Sequence, residues 1–311
     1  MKFYAHGKLL ISSEYLVLDG APALALPTKL GQHLEVNEIN QSSDYLHWKA
    51  LNSEGQPWLS ATFRKSNLEL LSDSNQSTTM LQTILATARK MNPTAAVWLN
   101  AKDFSVETRL EFPNAWGLGS SSTLMALLQQ WLQVDGIQLL RHTMGGSGYD
   151  IAAGLSDNAI VYTLGDEKPR WTPVSFSPSF ADQLYFVYTG KKQLSSSGIA
   201  SYRDRHFAKA PVIEALERLT EALLNATTLD AFEAAIQEHE ALISNVLGMA
   251  PVQQTYFADY WGTVKSLGAW GGDFVLLTNN RGHEALHQYL QQKGMPVYFS
   301  FHQLIFSSSP Q

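Results

Sequence analysis

The sequence predicts an α+β protein of two domains. Strand-like segments crowd the first third of the chain, and helix-like segments alternate with strands afterwards. A polar, proline-bearing stretch from Asp166 to Pro173 separates two halves, each long enough for its own core. The expected division is 1–165 and 166–311, within a chain of 311 residues that is 45% hydrophobic.

The elements follow in order. Phe3–Tyr4 and Lys8–Ile11 read as one strand and its continuation. "ALALP", "GQHLEVNEI", "YLHWKAL" and "PWLSATFRK" alternate apolar and polar residues and read as separate strands. "STTMLQTILATARKMN" has helical spacing and stops at Asn92-Pro93. "AAVWLNA" and "SVETRLEF" read as paired strands. "LMALLQQWLQV" is a helix, "IQLLRHTM" a short second one, and "NAIVYTLG" a strand. In the second half "QLYFVYTG" is a strand, Ala210–Asn225 and Leu229–Leu247 are helices, and "DFVLLT" is a strand. "GHEALHQYLQQKG" is a helix, and "VYFSFHQLIF" closes the chain as a strand.

Composition excludes several classes. With no cysteine, disulfides, thiolate nucleophiles and zinc-thiolate sites are out. A net charge of −6 and the absence of a basic cluster argue against nucleic acid as a partner. The N-terminal apolar stretch is broken by Ser12, Ser13 and Glu14, unlike a signal peptide, and no run is long enough to span a membrane. A soluble, cytoplasmic protein is expected, as a monomer or homodimer acting on a small molecule.

"EFPNAWGLGSSSTLMALL" (111–128) sets glycines and serines before an apolar helix. A helix N-terminus carries unpaired N–H groups and partial positive charge, so such a turn can cradle a phosphate. A turn that only caps a helix has the same composition. It is not a Walker loop, since no Gly-Lys-Ser/Thr follows.

Pro113 and Gly117–Ser122 resemble the second motif of the GHMP kinases, a family that includes galactokinase, homoserine kinase, mevalonate kinase and phosphomevalonate kinase. "AHGKLLISSEYLVLDGAPALALP" resembles that family's first motif, and "VKSLGAWGGDFVLL" its glycine-rich third. "GGSGYDIAAG" is similar to the segment that bears the catalytic aspartate in the mevalonate branch. The motifs stand in family order and span most of the chain. The resemblance implies an N-terminal ATP-binding domain with a left-handed βαβ crossover and a ferredoxin-like C-terminal domain, with ATP and acceptor meeting between them.

It also implies site residues. Asp150 would orient or deprotonate the acceptor, and Lys8 would lower its pKa and stabilise transferring charge. Gly117, Leu118, Gly119, Ser120 and Ser122 would hold the phosphates of ATP, and Ser121 would help hold Mg²⁺. Glu14, Tyr15, Ser147 and Gly148 would lie on the substrate side, with Gly268, Ala269, Gly271 and Gly272 allowing close backbone approach. "YTGKKQLSSSGIASYRDRH" offers Lys191, Lys192, Ser195, Ser196 and Ser197 as a second anion site, suited to an acceptor that already carries a phosphate. The expected substrate is 5-phosphomevalonate, with mevalonate as the alternative and a non-catalytic, metabolite-binding relative as another.

Four positions depart from the family pattern. His6 replaces a proline, Trp270 replaces a glycine, and Asp273 follows the third-motif glycines. Leu139 stands where mevalonate kinases have a magnesium-binding glutamate.

Overall fold

The computed structural model describes residues 1–39, 44–94, 103–165, 167–191, 195–270 and 272–308, with backbone alone at 195–197. The expected strand "AAVWLNA" therefore lies outside the described residues. The chain forms two compact units that interleave in sequence. The first holds Met1–Gly7, Leu30–Asn114 and Gly119–Leu155, and the second Lys8–Lys29, Ala115–Leu118 and Ser156–Gln311.

The first unit is built on β3 (Tyr45–Leu51), β4 (Pro57–Arg64) and β5 (Asp103–Leu110), joined by parts of β1 (Lys2–Leu10) and β2 (Ala23–Ile39). β3 pairs with β4 antiparallel and with β5 parallel, and β5 pairs antiparallel with Gln32–Ile39 of β2. Alternation sends Leu46, Trp48 and Ala50 of β3 and Phe104 and Val106 of β5 into one core. Helices α1 (Gln76–Met91), α2 (Ser120–Leu132), α3 (Gly136–Thr143) and α4 (Tyr149–Gly154) complete this unit. Asn75 caps α1 by accepting from the N–H groups of Ser77 and Thr78, and Asp135 caps α3 in the same way.

"ALALP" and "GQHLEVNEI" are one 17-residue strand, not two. Pro27 falls between two of this strand's ladders, and the strand pairs with β1 as well. Ala23–Ala25 pair with β6 (Ala159–Thr163), and the β5 ladder begins at Gln32, so neither needs an N–H at residue 27.

The second unit carries β6 and β7 (Arg170–Val174) beside the first half of β2. It also has a four-stranded antiparallel sheet ordered β11 (Tyr298–Ser300), β8 (Leu184–Tyr188), β10 (Phe274–Thr278), β9 (Val264–Ser266). Its helices include α5 (Ser195–Arg203), α6 (Lys209–Asn225), α7 (Leu229–Leu247), α8 (Val252–Tyr256) and α9 (Gly282–Gln292). The final expected strand ends early: after Ser300 the chain turns into α10 (Phe301–Leu304). Ser300 and Gln303 form a reciprocal capping box there, a local bond pattern that outcompetes further strand pairing. No described helix is long and apolar enough to cross a membrane.

Candidate functional site

The glycine–serine turn opens α2. Gly117 and Gly119 take φ of 68° and 94°, a region that favours glycine. Gly119 is the N-cap and supplies no side-chain cap, so no side chain of the cap residue occupies the first N–H groups of the helix. The serines divide the work. Ser122 is buried and donates to the Gly119 carbonyl at 2.9 Å, whereas the Ser121 side chain is exposed and Ser120 half-buried. Thr123 donates to Gln32 Oε1 at 2.6 Å and pins the first turn to β2.

Lys8 grips the entry to this turn. Its Nζ donates to the Gly117 carbonyl at 2.9 Å, and its backbone N–H donates to Leu118 O at 3.1 Å. Leu118 is fully buried, and Trp116 packs on Tyr188, Phe274 and Phe299. A Cβ on Gly117 would lie 2.2 Å from Asp273 Oδ2, so no other residue fits there. The Asp273 N–H donates to Lys191 O, and its carbonyl accepts from Thr189 N. The second unit thus gathers Lys8, Gly117, Leu118, Asp273 and the end of β8. Half-buried Pro113 precedes the turn by four residues.

Asp150 lies in the first turn of α4 in the first unit, half-buried, with its Oδ1 accepting from Ile151 N at 3.2 Å. Gly148 caps α4 at φ 89°, and a Cβ there would meet Ile137 at 2.7 Å. Ser147 is buried beside it. Leu139 is fully buried among apolar residues, where no carboxylate would be tolerated unpaired. Among the described residues no group of three or more His, Asp and Glu could hold a metal ion.

The first and third motifs meet within the second unit. Tyr15 donates to the Ala269 carbonyl at 2.7 Å, and a Cβ on Gly198 of α5 would lie 2.2 Å from the Tyr15 hydroxyl. Gly268 has φ 59° and open space around it, and Gly272 is buried. Trp270, at φ 53°, is fully buried against Tyr15, Leu16 and Tyr202. Its indole fills the volume a glycine would leave empty. Lys192 and Gly271 lie outside the described residues. Ser195, Ser196 and Ser197 form the first turn of α5. Lys191 is exposed, with Nζ 3.5 Å above the centre of the Tyr256 ring.

Glu14 is not at the surface. It is fully buried, 2.7 Å from Lys265 Nζ, and Lys265 in turn lies 3.4 Å from Glu240. Ser266 donates to Glu240 at 2.7 Å. His239 Nε2 accepts from the Ser13 N–H at 3.0 Å, so the imidazole is neutral and its 3.4 Å approach to Glu14 is no ion pair. Burial pushes the Glu14 carboxyl up to about 7 against the pull of Lys265. Burial, then the Lys265 charge, holds His239 well below its ordinary value. The hydroxyl of Tyr15 is raised to about 12, chiefly by burial. Sequence reasoning missed Lys265, Glu240 and His239. The one available signal was a lysine inside the apolar run "TVKSLGAW" that leads into the third motif.

Neither a protein-family model nor a curated protein sequence matches this chain. Its fold is similar along nearly its whole length to solved kinases. Mevalonate kinase from Methanococcus jannaschii matches with a TM-score of 0.71 at 15% identity, covering 99% of this chain and 98% of that one. Phosphomevalonate kinase from Streptococcus pneumoniae, in complex with phosphomevalonate and AMPPNP, matches at 0.71 and 15% identity, covering 96% and 99%. Galactokinase from Lactococcus lactis, complexed with galactose, matches at 0.67 and 13%, covering 99% and 93%. The fold is therefore the two-domain GHMP kinase fold.

Proposed function

We propose that this chain is an ATP-dependent small-molecule kinase of the GHMP type, with 5-phosphomevalonate as acceptor. The observation that carries the kinase reading is the glycine–serine turn. It opens α2 without a side-chain cap, and Lys8 is bonded to its carbonyl. The backbone N–H groups of such a turn and the exposed Ser121 hydroxyl suit a polyphosphate anion. The likeness to solved kinases over the full chain supports the same reading.

In this reading Gly117–Ser120 and Ser122 hold the nucleotide phosphates, and the exposed Ser121 hydroxyl would help to hold Mg²⁺. When bound, the metal neutralises phosphate charge. An acceptor oxygen attacks the γ-phosphorus in line, the bond to the β–γ bridging oxygen breaks, and ADP leaves. Asp150 orients the acceptor or takes its proton, and Lys8 offsets charge on the moving phosphoryl group. Residues 1–165 form the nucleotide-binding part of this scheme and 166–311 complete the acceptor side. Support for a phosphorylated acceptor is the basic, serine-rich sequence 191–197 at the end of β8. Its first residue, Lys191, accepts from the Asp273 N–H, and α5 packs Gly198 on Tyr15.

The test is ATP turnover with mevalonate, phosphomevalonate, diphosphomevalonate and galactose in parallel. Turnover with phosphomevalonate well above the others is expected. Turnover with mevalonate instead would move the assignment one step earlier. Nucleotide binding without turnover of any acceptor would overturn the kinase reading.

A further inference from the structure

A cavity lies wholly inside the second unit and borders the third motif at Val264. It measures about 400 Å³ and opens among α7, α8 and the start of β9. Its polar wall includes Gln237, Glu240, Ser244, Asn245, Gln254 and Thr263. No basic side chain lines it. The one charged wall residue, Glu240, is itself only 4% exposed.

Charge makes this wall unusual. Glu240 belongs to the buried set with Glu14 and Lys265, two carboxylates to one ammonium. His239 adds no positive charge, because its Nε2 accepts a backbone N–H. With a proton on Glu14 the set is balanced; above about pH 7, where Glu14 releases that proton, the set carries one negative charge in excess, and buried excess charge is costly. Only Glu240 among its members faces a space large enough for a ligand. A compact cation with several N–H donors would balance the excess, and the surrounding amides and hydroxyls would bind the rest of the molecule.

We propose that this cavity binds a small protonated primary amine that bears hydroxyl or amide groups, with its ammonium group on Glu240. The contact chain from this site is continuous. Glu240 meets Lys265, Lys265 meets Glu14, and the next residue, Tyr15, is bonded to Ala269 of the glycine-rich third motif. An occupant that draws on the Glu240 carboxylate therefore acts on the backbone of two motifs while bordering only Val264 at the edge of the third. The binding claim is independent of the kinase reading.

The test uses ethanolamine as the probe and ethylene glycol as its uncharged counterpart of equal size. Both are titrated into the full chain at about pH 8, above the Glu14 titration, by calorimetry and amide NMR. Ethanolamine should saturate in about the millimolar range expected of so small a ligand, with shifts centred on residues 237–264. Ethylene glycol should bind at least about tenfold more weakly, the size of one charge-assisted contact. Glu240→Gln should remove that preference. Ala241→Trp, which fills the cavity from an exposed helix position and leaves the charged set intact, should abolish saturable binding. Should Glu240→Gln fail to fold, Ala241→Trp decides alone. Equal binding of the two probes, unchanged binding in Ala241→Trp, or shifts elsewhere in the chain would each overturn the proposal.

Discussion

Replacing Glu14 with Gln should change how stability depends on pH, in a direction fixed by the buried set. The folded protein holds the Glu14 proton up to about pH 7, against 4.5 for an ordinary glutamate. Between those values the folded state binds a proton that the unfolded state has released, so stability falls as pH rises. At about 1.4 kcal/mol per pH unit for one proton, the loss from this group reaches about 3 kcal/mol. His239 works the other way. It stays neutral when folded and takes up a proton near pH 6.5 when unfolded, so it costs stability as pH drops below that value. The other groups facing Glu14 are Lys265, Glu240 and Tyr15. Wild-type stability should therefore be nearly level between about pH 4.5 and 6.5 as far as this set controls it, and decline just above. Glu14→Gln removes one of the two opposing slopes. Urea unfolding at steps across that range should show the variant gaining about 3 kcal/mol relative to wild type from low to high pH. A difference that stays constant, or that shrinks as pH rises, would refute the assignment of a proton to buried Glu14.

Asp150→Asn should leave ATP binding intact and cut turnover by roughly 10²–10⁴-fold, read by steady-state kinetics beside nucleotide titration. The neighbouring serines should separate. Ser121→Ala should depress Mg²⁺-dependent turnover with no loss of stability, while Ser122→Ala, which removes the bond to Gly119 O, should cost about 1 kcal/mol in urea unfolding. Gly117→Ala should destabilise by about 2 kcal/mol or more, because φ is 68° and the new Cβ meets the Asp273 carboxylate. Lys192→Ala should raise the Michaelis constant for phosphomevalonate by roughly ten- to a hundredfold and leave any activity on mevalonate little changed; equal effects on both would remove the phosphate site from that turn.

The fold was legible where the signal is local. The helices at 210–225 and 229–247 follow from apolar periodicity, and α6 and α7 match them to within a residue. β2 and the C-terminal segment were misdivided for different physical reasons. Pro27 looks like a strand breaker until the two ladders on either side of it are known, and those depend on partners far away in sequence. Ser300 and Gln303 lie inside an apolar alternating run, so their capping box is hidden by a stronger pattern. The candidate site was legible as motifs but not as contacts. The pairing of Lys265 with Glu14 joins residues 251 positions apart, and neither is unusual by type. The division of labour among Ser120, Ser121 and Ser122 was equally invisible, since it depends on which way a helix start faces.

Backbone strain points to the same place as the motifs. Six non-glycine residues among those described have positive φ, and four of them are Ser13, Tyr15, Trp270 and Asp273. All four belong to the first and third motifs. Each costs about 1–2 kcal/mol relative to an ordinary conformation, and glycine would remove that cost. The side chains repay it locally. Ser13 donates its hydroxyl to Pro22 O, Tyr15 reaches Ala269 O, Trp270 fills the core, and Asp273 occupies the space beside Gly117. These turns are thus locked through specific side chains. Locked turns suit a site that must present Lys8, the Gly117 carbonyl and the glycine-rich backbone in one fixed arrangement, because order that already exists in the free protein is not paid for when a ligand binds.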